Sequence, residues 1–128
     1  MSKPAPVTGK DDDRDGNTAL FSPCRRAGAF VFVSGQASVE GGVIVPGTFA
    51  EEMRRSIANV ERILAGEQLT LRDVIRVGAY VDDPADVPEF NRIYTEYFRP
   101  PLPARTTITS CFGGRIKFEI DVVAHGGG

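Results

Sequence analysis

Residues 46–66 read PGTFAEEMRRSIANVERILAG. Phe49, Met53, Ile57, Val60 and Leu64 recur at three- and four-residue steps, which puts them on one stripe of an α-helix. Thr48 and Glu51 have the T-x-x-E spacing of a capping box, in which each side chain satisfies an amide at the helix start. Gly66 is expected to stop the helix as its C′ residue. Arg54, Arg55, Glu61 and Arg62 fall mostly on the other faces. A helix with one apolar stripe needs an apolar layer beneath it, and the flanking segments read as strands.

Before the helix, AGAFVFVSGQASV (27–39) is β-rich. Phe30 and Phe32 alternate with Val31 and Val33, so both faces are apolar and burial on both sides is expected. Ser34-Gly35 ends that run, where a glycine suits a bulge or a close backbone approach to a ligand. Glu40-Gly41-Gly42 and Val43-Ile44-Val45 read as a turn and a return strand.

After the helix, VIRVGAYVDD (74–83) is a strand ending in a polar turn. A second helix follows to about Phe98, with Asp86 as expected cap, Pro88 in its first turn, and Phe90, Tyr94 and Phe98 on one face. Proline lacks an amide donor, so RPPLP (99–103) cannot continue that helix. ARTTITS (104–110) and RIKFEIDVVA (115–124) are strands. In the latter, Ile116, Phe118, Ile120 and Val122 face one way, and Lys117, Glu119, Asp121 and Val123 the other. Phe112-Gly113-Gly114 reads as a turn joining these two strands as an antiparallel hairpin.

The order is β-β-β-α-β-α-β-β. Two helices on one face of a mixed sheet make a two-layer α+β domain. The other sheet face, to which Val31, Val33, Val77, Ala79 and Val123 are assigned, is only partly polar, and an uncovered apolar sheet face predicts a partner subunit. The 128 residues suffice for one domain, placed at 19–125, with a flexible arm at 1–18 and a disordered tail at 126–128.

Composition excludes several function classes. Fifteen basic against 17 acidic residues, a net charge of -2, give no electrostatic footprint for nucleic acid. No apolar run approaches the ~20 residues of a membrane helix. The opening MSKPAPVTGKDDDRDGN has no apolar h-region, so a cytoplasmic protein is expected. Cys24 and Cys111 lack metal or redox spacing and read as free, mostly buried thiols. With His125 as the sole histidine, neither an all-protein zinc site nor a histidine-centred triad is well supplied.

FVFVSGQ, EMRRSIANVERILAG, FNRIYTEYF, PARTTI and IKFEIDVVA stand in the order and spacing of one known family. From about residue 20 to 124 the chain resembles the RidA/YjgF (reactive intermediate/imine deaminase) family. The resemblance implies a chorismate-mutase-like α+β fold and a homotrimer with clefts between subunits. It also implies hydrolysis of enamines and imines such as 2-aminoacrylate to 2-keto acids and ammonia, with no metal and no organic cofactor.

The same resemblance assigns site residues. On spacing alone, Arg105 reads as a solvated or ion-paired arginine; the resemblance makes it the guanidinium that binds the substrate carboxylate through two parallel hydrogen bonds. Glu119, otherwise a solvent-face glutamate, matches the family's carboxylate on the last strand, suited to position water and carry a proton. Ser34 and Gly35 match the loop that lines the cleft, where a plain bulge is the other reading. Asn91 matches a helix residue that hydrogen-bonds near the cleft, and Tyr94 is read as core packing with its hydroxyl satisfied. Thr107 stands where many members have cysteine, and its backbone carbonyl is expected to hold the attacking water. Phe21 departs from the family's tyrosine, Pro23 from its glutamine, and FGGR from its usual turn. These departures count against 2-aminoacrylate itself and open two other substrates, a larger or more apolar imino acid or an intermediate of a specialised pathway. The competing function is a non-catalytic trimer that binds small carboxylates. Ribonuclease activity is disfavoured by the acidic charge balance.

Overall fold

The structure, a computed structural model, describes residues 20–126. The expected arm, 1–18, and residues 127–128 of the expected tail lie outside them. The elements run β1 (Cys24–Ala27), β2 (Phe30–Gln36), β3 (Val39–Glu40), β4 (Val43–Ile44), α1 (Phe49–Ala65), β5 (Val74–Val81), α2 (Val87–Tyr97), β6 (Ala104–Thr109) and β7 (Phe118–His125). Five strands form one sheet in the order β1-β2-β7-β5-β6, and β3-β4 is a separate small hairpin. Both helices cover one face, giving the two-layer α+β fold that the periodicities predict.

The α1 stripe is buried as read: Phe49, Met53, Ile57, Val60 and Leu64 all lie in the core, each contributing about 1.5–3 kcal/mol by leaving water. The capping box forms, with Thr48 Oγ1 accepting from the Glu51 amide at 3.1 Å and Glu51 Oε1 accepting from the Thr48 amide at 2.8 Å. Gly66 is not the left-handed stop. Its φ is −66°, and the chain instead turns through Gln68 at φ 66°. Asp86 sits at the start of α2 without capping it; Asp83 caps the preceding 3-10 turn by accepting from the Ala85 amide at 2.9 Å. Phe118 joins the helices to the sheet, with Phe49 and Phe90 rings each 5.8 Å away.

Three readings of the strands change. The run 27–39 is broken: β1 ends at Ala27, and Gly28, at φ 60°, makes the turn into β2. The β2 register against β7 shifts between Val33 and Gln36, the irregularity that Ser34-Gly35 signals. β6 and β7 do not pair. β5 lies between them, parallel to β6 and antiparallel to β7. A parallel pair needs a long crossover, and α2 supplies it, so residues 74–109 form a β-α-β unit. The 112–114 turn is held instead by Asp82, whose carboxylate accepts from the Phe112 amide at 2.7 Å and the Gly114 amide at 2.8 Å.

The faces of the sheet are also reassigned. Val31, Val33, Val77 and Ala79 point into the helix-covered core. Phe30 (41% exposed), Phe32 (46%) and Ile108 (44%) lie on the uncovered face, with half-buried Val123 among them. Within one chain β2 is therefore buried on one side only. Both cysteines are free, Cys24 buried and Cys111 exposed. Burial and the neighbouring Glu67 carboxylate push the Cys24 thiol up to about 11.

Candidate active site

Strand register decides which of the expected site residues meet. Arg105 pairs with Val77 on β5, and Val77 pairs with Val122 on β7. Glu119 pairs with Tyr80, three residues further along β5. An odd separation along a strand puts two side chains on opposite faces. Arg105 therefore lies on the helix-covered side of the sheet and Glu119 on the uncovered side, and one chain does not bring them together.

The first group is built at the β6 edge. Phe90 and Tyr94 are one helical turn apart on α2, and the Arg105 guanidinium carbon stands 4.8 Å and 4.7 Å from their ring centres. Stacking on aromatic faces is worth ~0.5–2 kcal/mol and fixes the plane of the cation. Arg105 Nη2 donates to Asn91 Oδ1 at 2.9 Å. Among the described residues no carboxylate pairs with Arg105, so its permanent charge is oriented by two rings and an amide oxygen alone. Thr107 follows two residues along the same edge strand, half-buried, on the same side. The Tyr94 hydroxyl is not satisfied as read: it is buried without a hydrogen-bond partner. Burial pushes that phenol up, and the Arg105 charge, close enough to act without hydrogen-bond geometry, offsets part of the rise.

The second group lines a recess of about 460 Å³ on the uncovered face, formed by Phe21, Phe32, Ser34, Gly35, Glu119 and Asp121. Phe21, Ser34, Gly35 and Glu119, four of the expected site residues, line this one recess. Ser34 works as an anchor. Its hydroxyl donates to the Ser22 carbonyl at 2.6 Å and its amide to the Pro23 carbonyl at 2.9 Å, holding the segment that carries Phe21. Phe21 is 66% exposed and gives the recess an apolar rim. Gly35 is required by space: a Cβ there would collide with the Glu119 carboxylate. Burial, and secondarily the Asp121 charge, raise Glu119 above the ordinary carboxylate range.

Sequence reasoning left three participants unassigned. The spacing places Phe90 only on one face of the second helix, yet it forms half of the Arg105 platform. Asp121 was placed on the Glu119 face by period two, a signal that could have added it to the site. Tyr80, whose hydroxyl meets Asp121, is 41 residues away in sequence and left no local sign.

The chain is thus a small two-layer domain with an oriented arginine at one sheet edge and a carboxylate recess on the opposite face. Residues 15–126 match the family model described as Endoribonuclease L-PSP, and the chain belongs to that family, also known as RidA/YjgF. It is 35% identical over 105 residues to mitochondrial protein mmf2 of Schizosaccharomyces pombe, covering 77% of this chain and 83% of that one. It is 29% identical over 94 residues to the 2-iminobutanoate/2-iminopropanoate deaminase of Bos taurus, covering 70% and 69%. The solved structure of yeast Mmf1 superposes with a TM-score of 0.78 at 28% identity, covering 85% of this chain and 89% of that one. Among the described residues no helix is long and apolar enough to cross a membrane.

Proposed function

We propose that this protein is a cofactor-independent deaminase that hydrolyses enamines and imines of small carboxylic acids to 2-keto acids and ammonia. The observation that carries the reading is the Arg105 guanidinium, stacked on Phe90 and Tyr94, tied to Asn91 and lacking a carboxylate partner among the described residues. Bovine and mite relatives named as 2-iminobutanoate/2-iminopropanoate deaminases support the reaction class.

In this reading the Arg105 group of one subunit and the Glu119 recess of the next close on one substrate. Joining two different patches in turn is a heterologous contact, which closes into a ring, and a homotrimer is the form proposed. The exposed Phe30 and Phe32 supply apolar surface for that contact. Arg105 binds the substrate carboxylate. Glu119, as the acid, gives its proton to the enamine carbon; the C=C electron pair forms the new C–H bond and leaves an iminium. Water then adds to the iminium carbon while the Glu119 carboxylate takes the proton that water loses. The resulting carbinolamine breaks its C–N bond, its nitrogen takes the hydroxyl proton, and keto acid and ammonia depart. The Thr107 carbonyl is proposed to hold the water. The apolar rim of Phe21 and Phe32 favours imino acids with larger apolar side chains than 2-aminoacrylate.

The test is ammonia release from enzymatically generated 2-imino acids. Arg105→Ala should lose about 2–4 kcal/mol in kcat/KM, the scale of charge-assisted contacts. Unchanged turnover in that variant contradicts the reading. Binding of small carboxylates without turnover in the wild type would leave the non-catalytic alternative, and cleavage of RNA at comparable rates would favour a nuclease.

A further inference from the structure

Glu119 has a second carboxylate beside it. Asp121 is two residues on along β7, on the same sheet face and about 7 Å away between Cα atoms. Tyr80, opposite Glu119 on β5, donates its hydroxyl to Asp121 Oδ2 at 2.7 Å. That bond to an anion, with burial, pushes the Tyr80 phenol up to about 12, so it remains a donor across the working pH range. The sheet is hollowed for both acids. A Cβ at Gly78 would stand 2.6 Å from Asp121 Oδ1, and a Cβ at Gly35 would collide with Glu119. Neither glycine has a positive φ. The missing side chain, rather than an unusual backbone, is what these two positions provide.

We infer that Asp121, clamped by the Tyr80 hydroxyl in the space left by Gly78, is a positioning residue: it fixes a second negative charge beside Glu119 and sets the pH range over which Glu119 donates a proton. Two neighbouring anions on one half-buried face resist simultaneous ionisation, so the charge on one favours the acid form of the other. Direction and cause agree, since burial and then Asp121 raise Glu119. The other charged and titratable groups on this face are Arg76, whose cation opposes the rise of the Tyr80 phenol, His125 against the Phe30 ring, Asp82, Arg25, Lys117 and Cys111. Arg76 on β5 hydrogen-bonds Thr106 at 2.8 Å, and Asp82 is engaged by the amides of Phe112 and Gly114. Arg25 on β1 lies beyond Phe32, Lys117 pairs with Glu52 at 3.5 Å, and the Cys111 thiol is itself raised by burial, Asp82 and Glu119. β2 presents Ser34, Gly35 and Gln36, none of them charged.

The inference rests on the deaminase reading, in which Glu119 must be protonated to act. Activity then falls as pH rises through its titration. Asp121→Asn keeps an acceptor for Tyr80 and removes the charge, so the falling limb of the kcat/KM–pH profile should move toward lower pH. Measured above that limb, the variant should be less active than the wild type by the factor that this displacement sets. Tyr80→Phe, which frees the charge without removing it, and Gly78→Ala, which displaces it, should move the limb the same way by less. Asp121→Glu should restore most of the displacement. A ¹³C NMR titration of the side-chain carboxylates in the unliganded protein reads the same change without turnover. An unmoved Glu119 titration in Asp121→Asn overturns the inference, whatever happens to activity. A wild type that shows the raised titration but releases no ammonia from any 2-imino acid would sink the deaminase reading and leave the carboxylate pairing intact.

Discussion

The Arg105 corner and the Glu119 recess solve opposite problems with the same sheet. At the β6 edge a permanent charge is left exposed, and two rings and an amide oxygen remove its freedom. On the uncovered face a titratable charge is partly withdrawn from water, set beside another acid, and given room by a glycine. The first arrangement suits binding, because an oriented guanidinium loses little entropy when it meets a carboxylate. The second suits proton transfer, because partial burial brings a carboxylic acid toward the pH at which it works. On the proposed reading, one fold keeps recognition and chemistry on opposite faces and leaves their meeting to assembly.

The largest expected effects separate the two regions by kinetic parameter. Glu119→Gln should lower kcat by about 100-fold or more while leaving KM nearly unchanged, as loss of a general acid–base group does. Arg105→Ala should act mainly through KM, and Arg105→Lys should fail to restore it, because an ammonium lacks the planar pair of donors. Equal changes in KM for both variants would erase the division of labour. A smaller effect, about 1 kcal/mol in kcat/KM, is expected for Asn91→Ala, which frees one end of the guanidinium and leaves the stacking in place.

The smallest effect concerns stability. Glu119 is raised in the folded protein, so the unfolded chain ionises first as pH rises. Below the ordinary glutamate range both states hold the proton and nothing is lost. Through that range and up to the raised value, the wild type loses stability that Glu119→Gln keeps. Thermal unfolding as a function of pH should show the variant gaining on the wild type across that window, and parallel curves would mean that the recess is wetter than described.

The legible parts of the fold were those written in one segment. The α1 stripe, its capping box and the alternation of β7 each repeat within a few turns or residues, so their signals are local. The two-layer class follows from them. Sheet order does not, because it depends on pairing between distant segments. The expected β6–β7 hairpin rested on a glycine turn that Asp82, thirty residues away, uses for another purpose. The same limit governed the site. Arg105 and Glu119 were both named, but the face each occupies depends on the registers Arg105–Val77 and Glu119–Tyr80, which no single strand reveals. The Tyr80–Asp121 contact is non-local in the same way.

Subunit mixing tests the division between faces most directly. Arg105→Ala and Glu119→Gln chains carrying different tags can be co-expressed and purified through both tags. If each site takes Arg105 from one subunit and Glu119 from its neighbour, every mixed trimer holds one intact site, and activity should return to about one third of wild type. Mixed oligomers no more active than either parent variant would contradict the account.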